Sequence, residues 1–400
     1  MTHHPDPRPT LGLAALLAFL SMLSPFSIDT FFPSFPAIAR EFSLTALQLQ
    51  QTLTAYLVPY GVTMLLHGPL SDAYGRRRVI LVGVSLFTIA SLACALAPGF
   101  GTLLAFRAMQ GATAGAGLVV ARAVVRDLYA GHEAQRLMSL ITMLFGFAPA
   151  VAPVIGGWVH VAFGWRAVFL FLVLLGFAMV FVSWWRLPET HPPERRLVLQ
   201  LGTLFSLSWR IASHREFLLL SFASGLHFAS VIAYIGAAPA IVLEQWHFGE
   251  TQFAMLFIPV IGGFVAGAFT SGRMAGRVTP GTQCRVGYAI SALGGLASSV
   301  ALACFAPVPI LVQQLLIFTI AFGVQVVAPI LTLRLLDLFP DTRGAVSSVQ
   351  AFVAIMIAAA TMGVAVPALH GSLLLLALGS LVGAFSGWGL WRMASTAAAR

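Results

Sequence analysis

The chain has 400 residues, of which 59% are hydrophobic and 9% are charged, with a mean hydropathy of +0.92 and a formal net charge of +9. A soluble protein carries about 25% charged residues and has too little interior to hide this much apolar surface, so a soluble globular fold is excluded. All 22 basic residues are arginines, and they lie at the ends of apolar segments rather than in a stripe with stacking aromatic residues, which argues against a nucleic-acid partner.

The apolar segments predict an all-α integral membrane protein with twelve transmembrane helices. A spanning helix needs about 20 apolar residues. Charges, prolines and glycine clusters separate the segments. The first segment is too long for a signal-peptide core, so we expect it to be retained as a span. The predicted spans are 11–38, 47–68, 78–97, 101–122, 137–159, 165–186, 216–241, 251–272, 284–305, 308–330, 344–366 and 371–392.

Arginine is distributed unequally between the two sides of these spans. Arginines lie near the N-terminus, as Arg8 does, near the C-terminus, as Arg400 does, and in the loops after even-numbered spans. The other side of the spans carries only Arg40 and Arg166. The positive-inside rule then puts both termini in the cytoplasm, which requires an even number of spans. The sequence therefore predicts a multi-pass membrane protein with an even number of spans.

The longest polar interruption divides the chain into two halves. It covers 187–215 and is predicted to be a cytoplasmic linker between six-helix bundles at 1–186 and 216–400. The halves echo each other, since Arg126-Asp127-Leu128-Tyr129 follows span 4 and Leu336-Asp337-Leu338-Phe339 follows span 10. Two similar halves of six spans are typical of transporters built from parallel repeats.

Span 1 contains Asp29, the only acid that lies deep within a predicted span. An intramembrane acid is a candidate functional group by default. Arg107 enters from the same side at a similar depth, so we expect the two side chains to meet. Burial favours a neutral carboxyl group and a neighbouring arginine favours the ionised one. Asp29 is therefore either a titrating group or a structural partner of Arg107.

The loop after span 2 reads Gly68-Pro69-Leu70-Ser71-Asp72-Ala73-Tyr74-Gly75-Arg76-Arg77-Arg78. Its glycines allow a tight turn, and its acid can meet a helix N-terminus or an arginine. An ordinary inside loop would explain the arginines but not this spacing. The loop resembles motif A of the major facilitator superfamily. That resemblance implies a conformational latch made by Gly68, Asp72, Gly75, Arg76 and Arg77. The loop after span 8, Ser271 to Arg277, lacks the acid, so a weaker latch is expected there.

Span 4 carries Arg107 within Leu104-Ala105-Phe106-Arg107-Ala108-Met109-Gln110-Gly111. An arginine at a span centre costs about 2.5–3.5 kcal/mol, so it is expected to face a cavity or an internal partner. Snorkelling to the periplasmic surface is the alternative. The segment resembles motif B of the superfamily, whose arginine is linked to proton coupling.

Span 5 contains small residues and two prolines in the run from Gly146 to Gly157. Small residues permit close helix contact, and proline bends a helix because it lacks an N–H group. A bent structural helix without a coupling role is the alternative. The run is similar to motif C, which the family carries in drug/proton antiporters. That similarity implies a hinge at Gly146, Pro149, Pro153, Gly156 and Gly157.

Other polar residues within spans are candidates for a substrate cavity. Tyr56 and Tyr60 are four apart and share a helix face. His227 is a candidate second titrating group, with a satisfied interhelical hydrogen bond as the alternative. The remaining candidates are Tyr234 and Gln325. No metal-ligand spacing is present.

The motifs and the segment around Asp29 together resemble the drug/proton antiporters of the superfamily, in particular the bicyclomycin/chloramphenicol-resistance (Bcr/CflA) subfamily. This implies a monomeric exporter of small hydrophobic or amphipathic compounds in the bacterial inner membrane, surrounded by membrane lipid. It would use alternating access and protons, with the proton gradient as its energy source and no cofactor. A metabolite exporter and a nutrient symporter or uniporter of the same fold remain alternatives. An enzyme would need clustered His, Asp or Glu within the spans, and ATP-driven transport needs a lysine that the sequence lacks.

Overall fold

A computed structural model describes residues 11–129, 131–196, 198–305 and 307–397. Arg8 and Arg400, which contribute to the predicted topology, lie outside these residues. All regular elements within the described residues are helical. The α-helices are α1 (Leu11–Asp29), α2 (Phe35–Phe42), α3 (Ala46–Tyr74), α4 (Arg76–Ala95), α5 (Phe100–Leu128), α6 (Gly131–Phe163), α7 (Trp165–Arg186), α8 (Leu201–Ala212), α9 (Arg215–Gly236), α10 (Ala254–Met274), α11 (Pro280–Cys304), α12 (Ile310–Asp337), α13 (Arg343–Ala360), α14 (Val366–Leu369) and α15 (Leu373–Ala397).

Each predicted span coincides with one long helix or with a short series of helices. By length and composition, 11 helical segments within the described residues are apolar enough to cross a membrane. The remaining predicted span, 47–68, lies in α3, which has 29 residues. Gln48, Gln50 and Gln51 give the start of α3 a more polar composition than the other spans have.

The first span differs from its prediction because its helix is broken in the last third of the span. Helix α1 ends at Asp29, a short 3₁₀ turn covers Phe32–Ser34, and α2 begins at Phe35. Pro33 and Pro36 have no N–H group to donate to the preceding turn, so the α-helical hydrogen-bond ladder loses two bonds within four residues, which favours a break here. The break is buried, with Phe31 and Phe32 fully enclosed.

One compact unit comprises Met1–Ser34 and Val58–Gln200. Within it, α4 packs against α5 and α7, and α1 packs against α5 and α6. Glycine permits the closest approaches. A Cβ at Gly117 of α5 would collide with the Leu20 carbonyl of α1, and a Cβ at Gly83 of α4 would lie 2.6 Å from the Ala116 side chain of α5.

A second compact unit comprises Phe35–Leu57 and Leu201–Arg400. Within it, α10 packs against α12, α9 packs against α15, and α11 packs against both α12 and α15. The first turns of α3 belong here, since Gln50 Nε2 donates to Gly236 O at 2.9 Å and Gln51 Nε2 donates to Gly363 O at 3.0 Å. The predicted linker is helical in its second half, where α8 exposes Leu201, Phe205 and Trp209 at a spacing of four residues.

Candidate functional site

Arg107 is the centre of a polar cluster inside the first unit. It lies in α5 and is fully buried. Its Nη1 atom donates to Gln110 Oε1 at 2.5 Å and to Ser27 O of α1 at 3.3 Å, and its guanidinium lies 5.1 Å from the Phe31 ring centroid. Gln110 Nε2 in turn donates to Ser91 Oγ of α4 at 2.8 Å. Arg107 therefore faces internal partners rather than snorkelling to the surface, and it links three helices.

Asp29 is the last residue of α1 and is 4% exposed. It is the only acidic side chain that is buried among the described residues. Arg107 binds the Ser27 carbonyl, two residues before Asp29, at 3.3 Å, and the predicted contact between the Asp29 and Arg107 side chains stays a prediction. The arginine thus holds the backbone of α1 beside the acid.

The proline-containing helix α6 contacts the break in α1. A Cβ added at Gly156 would collide with the Thr30 carbonyl, directly after Asp29. Glycine is therefore required at this crossing. Helix α6 remains α-helical through Pro149 and Pro153. Gly146, by contrast, has no heavy atom within 4 Å of its Cβ position among the described residues, so the close contact predicted for the small residues of this run is not made there.

The predicted loop from Gly68 to Arg78 is helical except at Gly75, the single residue between α3 and α4. The ends of these two helices form an ion network around Arg76, whose side chain is 9% exposed. Its Nη1 atom contacts Asp72 Oδ1 at 2.5 Å and Ser71 Oγ at 2.5 Å, while its Nε atom donates to Asp127 Oδ2 at 3.0 Å. The same Asp127 oxygen accepts a hydrogen bond from Thr190 Oγ1 at 2.9 Å. The network thus joins the predicted latch loop to the end of α5 and to the segment after α7.

Glu189 closes this network from the segment after α7. Its Oε1 atom accepts the backbone N–H of Arg76, the first residue of α4, at 2.9 Å. A carboxylate at this position satisfies a free N–H group and interacts favourably with the helix dipole. Gly75 has a φ of 94°, and a Cβ there would lie 2.5 Å from Glu189 Oε2. Gly75 is therefore needed both for its backbone conformation and for space. Gly68 is less constrained, since its Cβ position is 4.0 Å from the nearest atom. The other predicted latch residue, Arg77, donates to the Trp184 carbonyl.

The cavity candidates separate into packed and half-buried residues. His227 is buried in the second unit, where its Nε2 atom lies 2.9 Å from Ser291 Oγ and its ring stacks on Tyr288 at 4.2 Å. This is the satisfied hydrogen bond that the sequence left as the alternative to titration. Tyr234 is also buried there, and Gln325 is half-buried beside Gly267 of α10.

Tyr56 and Tyr60 are both buried, but they belong to different units. The Tyr60 hydroxyl is hydrogen-bonded to Ser24 of α1, and the charge of Arg122 on α5 lies nearby. Tyr60 thus faces the same helices as the Arg107 cluster. Its place in a substrate cavity stays a prediction, as does that of Tyr56.

The participants that sequence reasoning missed include Gln110, Ser91, Asp127 and Glu189. Gln110 lies three residues after Arg107 on one helix face, so its spacing is a usable signal. Ser91 and Glu189 come from distant parts of the chain, and the sequence offers no spacing that pairs them with Gln110 or Gly75.

The chain matches known proteins over most of its length. The model of the Major Facilitator Superfamily matches residues 17–361. An uncharacterized MFS-type transporter, YdgK, of Bacillus subtilis (strain 168) is 34% identical over 325 residues, which is 81% of each protein. A bicyclomycin resistance protein homolog of Haemophilus influenzae is 32% identical over 283 residues, which is 70% of each. The crystal structure of a D-xylose-proton symporter superposes with a TM-score of 0.72 over 94% of this chain and 97% of that chain; at 13% identity it shows the fold alone.

Proposed function

We propose that this chain, which belongs to the major facilitator superfamily, exports small hydrophobic or amphipathic compounds in exchange for protons. The chain is a transporter with the all-α, twelve-helix fold of that superfamily, and it is not an enzyme. The relative in Haemophilus influenzae is a bicyclomycin resistance protein homolog, which supports bicyclomycin as the first substrate to test. The resemblance of the motifs to the bicyclomycin/chloramphenicol-resistance subfamily adds phenicols to that test.

The single observation that carries proton coupling is the position of Asp29. It is the only buried acid among the described residues, and it lies where α1 stops being helical. A carboxylate removed from water without a paired cation is strongly disfavoured, whereas its protonated form is tolerated. A change in the surroundings of the helix break would therefore change how tightly Asp29 holds a proton.

Arg107 and Gly156 are proposed to couple the helix break at Asp29 to movements of α5 and α6. Arg107 binds the Ser27 carbonyl before Asp29, and Gly156 contacts the Thr30 carbonyl after it. A shift of α5 or α6 would thus move the backbone on one side of the acid. In the proposed cycle, Asp29 takes up a proton from the periplasm as substrate leaves, and loses it to the cytoplasm before the next substrate binds.

The proposal includes the membrane setting of this cycle. The protein works as a monomer in the bacterial inner membrane with both termini in the cytoplasm. The proton gradient supplies the energy, worth about 2.3 kcal/mol per 100 mV for each charge moved plus the pH term. No cofactor is required. The loop network around Arg76 holds the cytoplasmic ends of α3, α4 and α5 together, which supports its role as one half of the latch.

The test uses acid-loaded inverted vesicles with a luminal pH dye. Vesicles carry the wild-type protein, Asp29→Asn, or Asp341→Asn, which removes an exposed acid outside the spans as a matched control. Adding chloramphenicol or bicyclomycin should release protons from wild-type and Asp341→Asn vesicles but not from Asp29→Asn vesicles. Uptake of labelled drug, measured in parallel, should fall to the level of empty vesicles in the Asp29→Asn sample only.

Two outcomes would contradict the proposal. Equal proton release from wild-type and Asp29→Asn vesicles would place the coupling group elsewhere. Labelled-drug movement without any proton release would exclude antiport and would favour the symporter or uniporter alternative of the same fold.

A further inference from the structure

A basic cavity opens at one end of the second unit, away from the residues discussed so far. It has a volume of about 870 Å³ and lies among the loop between α10 and α11, the start of α11, and the ends of α12 and α15. Three arginines line it, namely Arg285, Arg334 and Arg392, with a single acid, Asp337. The lining therefore carries an excess of two positive charges.

Two of these arginines are available to bind an anion. Arg334 is already paired, because its Nη2 atom contacts Glu216 Oε1 at 2.6 Å. Arg285 makes only weak internal hydrogen bonds, to Gly281 O and Thr282 Oγ1, both at 3.3 Å. Within the described residues neither Arg285 nor Arg392 pairs with an acid, and both side chains are exposed. Asp337 pairs with Arg343, whose Nη2 atom lies 3.5 Å from Asp337 Oδ1.

The walls of the cavity combine polar and apolar groups as a lipid headgroup site requires. Ser395 and Thr396 supply hydroxyl groups beside Arg392, while Trp391 and Leu333 supply apolar surface. Leu333 is 62% exposed and so continues the apolar outer face of α12. The cavity also adjoins the loop after span 8, which belongs to the arginine-rich side of the predicted spans.

We propose that this cavity binds the phosphodiester headgroup of an anionic membrane phospholipid such as phosphatidylglycerol. Basic pockets between helices on the cytoplasmic side of membrane proteins have the charge that such headgroups need. Arg285 and Arg392 contact the phosphate, and the hydroxyl groups of Ser395 and Thr396 contact the glycerol. The acyl chains lie along the apolar face that includes Leu333. The inference does not depend on the transported substrate.

Titration of the purified protein with lipids of identical acyl chains, followed by native mass spectrometry, tests the site. Phosphatidylglycerol should bind at least tenfold more tightly than phosphatidylethanolamine. Each arginine near an anionic surface contributes about a fivefold change in affinity, so Arg285→Gln/Arg392→Gln should weaken phosphatidylglycerol about 25-fold. The matched control Arg136→Gln/Arg210→Gln removes two exposed arginines outside the cavity and should change binding less than twofold.

Three results would overturn the proposal. The first is an equal loss of binding in the control variant, which would indicate general surface charge. The second is unchanged binding in the cavity variant. The third is displacement of the lipid by millimolar inorganic phosphate or glycerophosphoglycerol, which would make the cavity a site for a soluble anion. A second measurement uses the wild-type protein alone. Phosphatidylglycerol should raise its thermal unfolding midpoint, whereas phosphatidylethanolamine should not.

Discussion

The connection between α3 and α4 and the loop between α10 and α11 each contain a glycine of positive φ, but only the first is surrounded by an ion network. Each has a glycine in the left-handed region followed by an arginine, with φ of 94° at Gly75 and 74° at Gly276. A positive φ favours glycine at both positions because a Cβ would be strained there. The arginines that follow, Arg76 and Arg277, have different surroundings.

Arg76 is buried among acids from other elements, whereas Arg277 is exposed. The position equivalent to Asp72, three residues before the glycine, is Arg273 in the last turn of α10, and its guanidinium lies over the Phe269 ring at 4.3 Å. A Cβ at Gly75 would meet Glu189, while Gly276 has no heavy atom within 4 Å of its Cβ position among the described residues.

The comparison separates two requirements that the sequence motif combines. The glycine is needed for the turn in both loops, and the acid is needed only where distant carboxylates assemble around the arginine. The second loop has Arg273 where the first has Asp72. It therefore lacks the carboxylate nearest to the arginine, but it keeps the glycine of positive φ. We therefore expect equivalent substitutions in the two loops to have unequal effects.

The largest difference in the free energy of unfolding is expected between substitutions of the two arginines, Arg76 and Arg277. Arg76→Met leaves Asp72 and Asp127 together without their shared cation, and breaking a buried ion pair in this way costs about 3–5 kcal/mol. Because both acids are partly exposed, we expect about 2–3 kcal/mol here. Arg277→Met removes an exposed side chain and should cost less than about 0.5 kcal/mol. Thermal unfolding in detergent measures both, and equal midpoints would contradict the one-sided network.

The two glycines should differ less. Gly276→Ala imposes only the cost of a left-handed backbone, about 1–2 kcal/mol. Gly75→Ala adds collisions with the side-chain ends of Glu189 and Arg196, whose nearest atoms would lie 2.5 Å and 2.9 Å from the new Cβ, so it should cost about 1 kcal/mol more. A double-mutant cycle isolates the Glu189 part, because in a Glu189→Ala background the excess cost of Gly75→Ala should fall to what Arg196 alone imposes. An excess that is unchanged in that background would show that Glu189 does not contribute to it.

A feature can be predicted from the sequence when the residues that form it are close together in the chain, and not when they are far apart. Spans such as 165–186 follow from apolar length and coincide with a helix, α7, and the left-handed glycine follows from local spacing. The break at Asp29 was missed because the apolar run continues through it, although Pro33 and Pro36 were visible. The partnership of Arg76 with Asp127 and Glu189 joins positions 51 and 113 residues apart. Such pairs are fixed by helix packing, which one sequence does not reveal.

The smallest predicted difference concerns the charge that Glu189 places at the start of α4. Glu189→Gln keeps an oxygen that can accept the Arg76 N–H but removes the negative charge from the helix N-terminus, which should cost about 0.5 kcal/mol because the side chain is exposed. The control Glu194→Gln removes an exposed acid from the same segment and should have no measurable effect. Since salt screens exposed charges, the difference between the two variants should shrink at 1 M salt, where the Debye length is about 3 Å. A difference that is independent of salt would show that Glu189 acts through its hydrogen bond and its packing on Gly75. Motif A would then need its distant carboxylate for shape rather than for charge.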